Sequence, residues 1–67
     1  MAVIVRFPQG ESKEHADATS AVCVDGLLTV RRWNPKTRRH DDVRSHRGPL
    51  VAEIIENGVV TERIVCP

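Results

Sequence analysis

The groups in this 67-residue chain that could carry catalysis or hold a metal are few: Ser45 beside His46, Asp41 beside Asp42, His15, His40, and the thiols of Cys23 and Cys66. A nucleophile and its base are defined by geometry, and adjacency in sequence does not supply it. Neighbouring aspartates on extended backbone point their carboxylates apart. No cysteine or histidine pair has the C-x2-C or H-x3-H spacing that presents two metal ligands from one local element. G-x-x-x-x-G-K, H-E-x-x-H and glycine-rich phosphate loops are all missing from the sequence. These residues therefore point to a non-enzymatic protein with no metal and no cofactor.

The cysteines are too few for a disulfide framework. Cys23 lies within an apolar run, where a thiol behaves as a small buried apolar group. The expectation is a reduced cytoplasmic protein with two partly buried thiols, although a single bridge is geometrically possible. No apolar run is long enough to span a bilayer, and "AVIV" after Met1 has neither the basic flank nor the length of a signal segment.

Charge is the stronger signal. The net value is only +1, but residues 31 to 47 hold seven basic side chains against Asp41 and Asp42, and the remainder of the chain is acidic. Arg31, Arg32, Lys36, Arg38, Arg39, Arg44 and Arg47 are arginine in all but one case. Arginine offers a planar donor fork suited to carboxylate or phosphate, where lysine offers a hydrated point charge. Trp33, the only tryptophan, falls in the same interval and could stack on a base. Packing in the core or at a sheet rim is the more ordinary role for it than stacking on a ligand, and then replacing it would harm stability first.

The elements that must present these residues read as β throughout. "AVIVRF" (2 to 7) is β-branched and is stopped by Pro8 and Gly10. "GESKEHADATS" (10 to 20) is polar and reads either as a helical turn or two capped by Ser12, or as an irregular excursion. Asp25-Gly26 divides two apolar runs and predicts a hairpin of strands at 20 to 24 and 27 to 33. Counting alternation from Leu28 and Val30 puts Arg32 on their face and Trp33 on the other, beside Leu27 and Thr29.

Asn57-Gly58 predicts a second hairpin. A two-residue turn with regular pairing would oppose Glu53 to Glu62, a destabilising like-charge contact. A three-residue loop of Glu56, Asn57 and Gly58 avoids it and collects Leu50, Ala52, Ile54, Val60 and Ile64 on one face, with Glu62 needing a partner or a rim position. Val51, Ile55, Val59 and Val65 then lie on the second face, which sheet curling or another chain would have to cover. Residues 34 to 48 read as one long connection, with a short helical turn capped by Asp41 and ended by Gly48.

The expected architecture is all-β: one small domain, residues 1 to 67, forming a five-stranded antiparallel barrel or half-barrel of SH3-like or OB-like type, with the long basic loop between strands three and four. Two functions fit it. The one needing fewer assumptions about Asp41 and Asp42 is a protein-interaction or assembly module, of adaptor or inhibitor type or a homodimer, gripping an acidic protein surface. The other is a nucleic-acid-binding module contacting phosphates through the arginines.

Overall fold

Every predicted run of β-branched residues is a strand in the computed structural model, which describes residues 1–67. Two polar segments are strands as well. The seven strands are β1 Ala2–Arg6, β2 Ser12–Ala16, β3 Ser20–Val24, β4 Leu27–Asn34, β5 Arg39–Arg47, β6 Leu50–Glu56 and β7 Val59–Cys66. They form a four-stranded sheet of order β2-β1-β6-β7 and a three-stranded sheet of order β3-β4-β5, all antiparallel. The fold is all-β as expected, but in place of a five-stranded barrel or half-barrel it has seven strands in two separate sheets packed on one core.

Alternation builds that core. Val3 and Val5 of β1, Leu28 and Val30 of β4, and Leu50, Ala52 and Ile54 of β6 face inward with Ala18 and Cys66, and Phe7, Ala21, Cys23 and Ile64 pack against them. Only 10 of the 67 residues are buried, so a core this small benefits from a covalent tie. It has one: Cys23 and Cys66 are disulfide-bonded, joining β3 to β7 and therefore one sheet to the other. The expectation of two reduced thiols is overturned because topology brings their Cα atoms to 5.7 Å, within bonding reach.

The segment 10 to 20 forms no helical turn. Phe7 N–H donates to the Glu11 carbonyl and Gly10 N–H to the Phe7 carbonyl, closing a reverse turn that delivers Ser12–Ala16 to the edge of β1. A segment of five residues cannot nucleate a helix by itself, whereas β1 offers a row of backbone partners.

The predicted long loop is likewise replaced, by β5. Asn34 Oδ1 accepts from the Lys36 amide and the Asn34 carbonyl accepts from Arg38 N–H, which folds residues 34 to 38 into a turn. β5 then pairs along the whole of β4, with Val43 as the extra residue where pairing shifts between Val30↔Arg44 and Arg31↔Asp42. Asp41 caps no helix; it lies in this strand.

Both glycine turns form. Asp25 and Gly26 have φ of 51° and 75°, and Asn57 and Gly58 have 53° and 77°, the paired positive values of a two-residue hairpin turn. The three-residue loop expected at Glu56 is corrected, since Glu56 pairs with Val59. A bulge further along, between Ile54↔Glu62 and Ile55↔Val60, moves the register so that Glu53 opposes Arg63. The like-charge contact is avoided in the strand instead of in the turn. Consequently Val60 joins Ile55 on the outer face, while Glu62 is exposed at the rim as expected.

Candidate functional site

Pairing of β3 with β4 ends at Ser20↔Arg31, whereas β4 and β5 remain paired to Asn34↔Arg39. Past Arg31 the two strands continue as a ribbon, tied back at its root by Thr19, whose hydroxyl accepts from Trp33 N–H at 2.8 Å. The ribbon carries most of the basic residues singled out from sequence. Register divides them: Arg32, Arg39 and Arg44 share the face of Leu28 and Val30, and Arg31, Trp33, His40 and Arg47 share the opposite face, with Lys36 and Arg38 in or beside the tip turn.

The two aspartates are engaged within the ribbon. Asp42 lies 3.2 Å from Arg31 Nε, and Asp41 accepts from Asn34 Nδ2 at 2.9 Å. An exposed pair such as Arg31–Asp42 contributes less than about 1 kcal/mol, so its main effect is to occupy both charges. Arg32, Lys36, Arg38, Arg39, Arg44 and Arg47 are exposed and make no ion pair within the chain.

Trp33 is 44% exposed and meets His40 edge to face, with ring centroids 5.1 Å apart. As alternation predicts, it lies on the face opposite Leu28 and Val30, and it is not part of the core.

Arg38 has φ of 56°. The other non-glycine residues in the left-handed region are Asp17, Asp25 and Asn57, types that tolerate it through local hydrogen bonding, whereas arginine there costs roughly 1–2 kcal/mol. A cation thus occupies the tip where local geometry favours glycine or asparagine.

A second cluster lies where the edge strands of the two sheets meet, on the side away from the disulfide. Alternation on β2 turns Lys13 and His15 inward, paired with Val5 and Val3, and alternation on β5 turns Arg44 and His46 inward, paired with Val30 and Leu28. His15 Nε2 and His46 Nε2 are 2.9 Å apart, and the His46 ring meets Phe7 at 5.6 Å. Both histidines titrate below their ordinary 6.5: His15 through burial and then the charges of Arg44 and Lys13, His46 through burial and then His15, Arg44 and Lys13. Sequence reasoning missed Lys13 and His15 as site residues, since a polar strand has no apolar alternation to reveal which side chains turn inward.

Of the other chemical candidates, Ser45 shares its face with Thr29, whose hydroxyl is 3.1 Å away, and points opposite to His46. No three histidine, cysteine or acidic side chains converge. Comparison with protein-family models, curated proteins and solved structures finds no match to this chain.

Proposed function

We propose that this protein is a non-enzymatic nucleic-acid-binding module whose contact element is the β4–β5 ribbon. The observation that carries the reading is the set of six exposed cations without an ion pair on β4, β5 and the turn between them, Arg32, Lys36, Arg38 and Arg39 where the ribbon runs beyond β3 and Arg44 and Arg47 where β5 edges the sheet. On sequence alone, Asp41 and Asp42 favour a protein partner over a polyanion. Asp42 is set against Arg31, so of the two aspartates only Asp41, whose bond to the neutral Asn34 amide leaves its charge in place, offsets the other six, and the argument is weakened by half. A two-stranded ribbon is also an element that the DNA major groove admits. Trp33 adds an exposed aromatic surface for a base, and the strained Arg38 fits a tip retained for charge.

The test is a salt titration of binding to random-sequence duplex and single-stranded oligonucleotides. With about five phosphates neutralised, log affinity falls against log salt with a slope of roughly −3.5 to −4.5. Lack of binding at low salt refutes the proposal.

A second reading, a protein-interaction or assembly module forming a homodimer or docking on a larger acidic protein, is supported by β7. This strand is an unpaired sheet edge with Val59, Val60 and Val65 exposed at 62%, 47% and 68%, and such edges recruit other strands. Sedimentation that gives a monomer at all concentrations removes the homodimer. As to compartment, no helix is long and apolar enough to cross a membrane. The cytoplasmic reading rested on reduced thiols, and a bridged pair is what an oxidising compartment maintains.

A further inference from the structure

Lys13, His15, Arg44 and His46 come from alternate positions of two edge strands that belong to different sheets, and all four turn into the gap between them. The gap opens to solvent as a groove of about 380 Å³ lined by Phe7, Glu11, Ser12, Lys13, Arg44 and His46. Each of the four side chains can donate hydrogen bonds or carry positive charge. None of them forms an ion pair, and Glu11, the one carboxylate on the groove, pairs with no cation.

Two readings of the facing imidazoles compete. Nitrogens 2.9 Å apart could share a metal ion as well as a proton. Electrostatics decides between them: Lys13 and Arg44 flank the pair, so an entering cation meets two like charges and an entering anion meets two opposite ones. On the far side of Arg44, Arg32 and Arg39 continue along the same face of the ribbon.

We infer that this gap is a phosphate-binding site, built from Lys13, His15, Arg44 and His46, into which the backbone of a nucleic acid held on the inner face of the ribbon is drawn. The inference rests on the reading of the ribbon given above and adds the path of the ligand and two residues of β2. A phosphate oxygen accepts from the imidazole N–H groups once the 2.9 Å bond between the rings, in which one Nε2–H donates to the other Nε2, opens. Burial first, and then the charges of Arg44 and Lys13, lower the titration of both histidines and so disfavour their charged forms, with Glu11 the one carboxylate on the groove. A bound anion reverses that bias and favours their protonated forms. Binding therefore takes up protons, and affinity rises as pH falls from 7.5 towards 6.

The site is tested in two arms on the intact chain. In the first, inorganic phosphate is titrated against chloride at constant ionic strength while the histidine ring resonances are followed by NMR. His15 and His46 are expected to shift saturably, with His40 as the internal control. In the second, oligonucleotide binding is compared between wild type, Lys13→Gln and His46→Gln. Lys13 is exposed, so its variant keeps the fold, and its loss should lower the salt slope by about one. His46→Gln should reduce the pH dependence, and His15→Gln with His46→Gln should remove it.

If oligonucleotide binds with the ribbon's salt slope but Lys13→Gln matches wild type and phosphate moves neither ring, the site is refuted and the ribbon reading stands. If phosphate moves both rings while no oligonucleotide binds, free phosphate is the ligand of this site and the ribbon reading fails. Zinc moving both rings where phosphate moves neither overturns the inference in favour of a metal pair.

Discussion

Cys23 of β3 and Cys66 of β7 are bonded across the two sheets, 43 residues apart in sequence. Tethering a chain over that separation removes denatured-state entropy worth roughly 4 kcal/mol. An aliphatic core of this size contributes about 3 to 5 kcal/mol of net stability unaided, so the bond is comparable to everything else holding the fold. Reduction, or the double change Cys23→Ala and Cys66→Ala, should leave a marginal protein. With an m-value near 1 kcal/mol/M in urea, the unfolding midpoint should drop by several molar. Equal midpoints with and without reductant would show that the bridge does not form.

Glu53 is an acid on the outer face of the four-stranded sheet, yet it is only 5% exposed, roofed by the guanidinium groups of Arg6 at 2.5 Å and Arg63 at 2.9 Å. Hydrogen bonds from Arg6 and then Arg63 hold its carboxyl below the ordinary 4.5. A depressed carboxyl pKa means that the unfolded chain binds the proton more readily, so the stabilisation is complete above 4.5 and is lost as pH falls through the folded value. Glu53→Gln should be less stable than wild type at pH 7, and the two should converge in acid. Thermal unfolding from pH 7 to pH 3 measures this; parallel curves would contradict it.

The histidine pair acts in a higher window. Both rings titrate below 6.5, so between that value and the folded one the unfolded chain again carries more protons, and stability falls as the solution is acidified. In the absence of any anion that binds the groove, unfolding midpoints should decline from pH 7.5 to pH 5.5. Replacing His15 and His46 together with glutamine should flatten that decline, and an unchanged slope would show that the pair does not govern it.

Much of this fold is legible in the chain, for identifiable reasons. Asp25-Gly26 and Asn57-Gly58 locate both tight hairpins because positive φ at two successive positions narrows the choice of residues. Alternation around Leu28, Val30, Leu50, Ala52 and Ile54 identifies core positions because each lies on a strand with one buried face. β2 and β5 escape notice because "SKEHA" and "RHDDVRSHR" form edge strands that are almost wholly exposed, so no apolar period marks them. Their pairing is driven by backbone groups of β1 and β4 that would otherwise lack partners. The same limit governs the site. Charge density locates the ribbon, but the side chains that Lys13 and His15 bring to Arg44 and His46 depend on which strands become neighbours across the two sheets.

Trp33 offers a separation of stability from function. Its ring is 44% exposed and its chief aromatic contact is His40, a kind of pair worth about 0.5–1.5 kcal/mol. Trp33→Ala should therefore cost no more than about 1.5 kcal/mol of stability. If the ring stacks on a base, single-stranded oligonucleotide affinity should fall by about 1–3 kcal/mol. Tryptophan fluorescence on adding oligonucleotide provides an independent check. An unchanged spectrum and unchanged affinity would remove Trp33 from the contact surface.

Arg38 allows the sharpest test of the ribbon, because charge and conformation pull in opposite directions there. At φ of 56° its side chain costs roughly 1–2 kcal/mol that glycine would not incur, against about 0.5–1 kcal/mol that glycine loses through the freedom of the unfolded chain. Arg38→Gly should accordingly fold as stably as wild type or slightly more so, with the tip turn preserved. It also deletes one of the six unpaired cations. If the ribbon binds phosphates, affinity should fall and the salt slope should shrink by about one, a loss of binding in a protein that is no less stable. Charge reversal of Arg38 and Arg39 to glutamate should deepen the defect with the circular dichroism spectrum unchanged. If Arg38→Gly binds as wild type does at low salt, the tip lies outside the interface and the contact surface must be sought elsewhere on the ribbon.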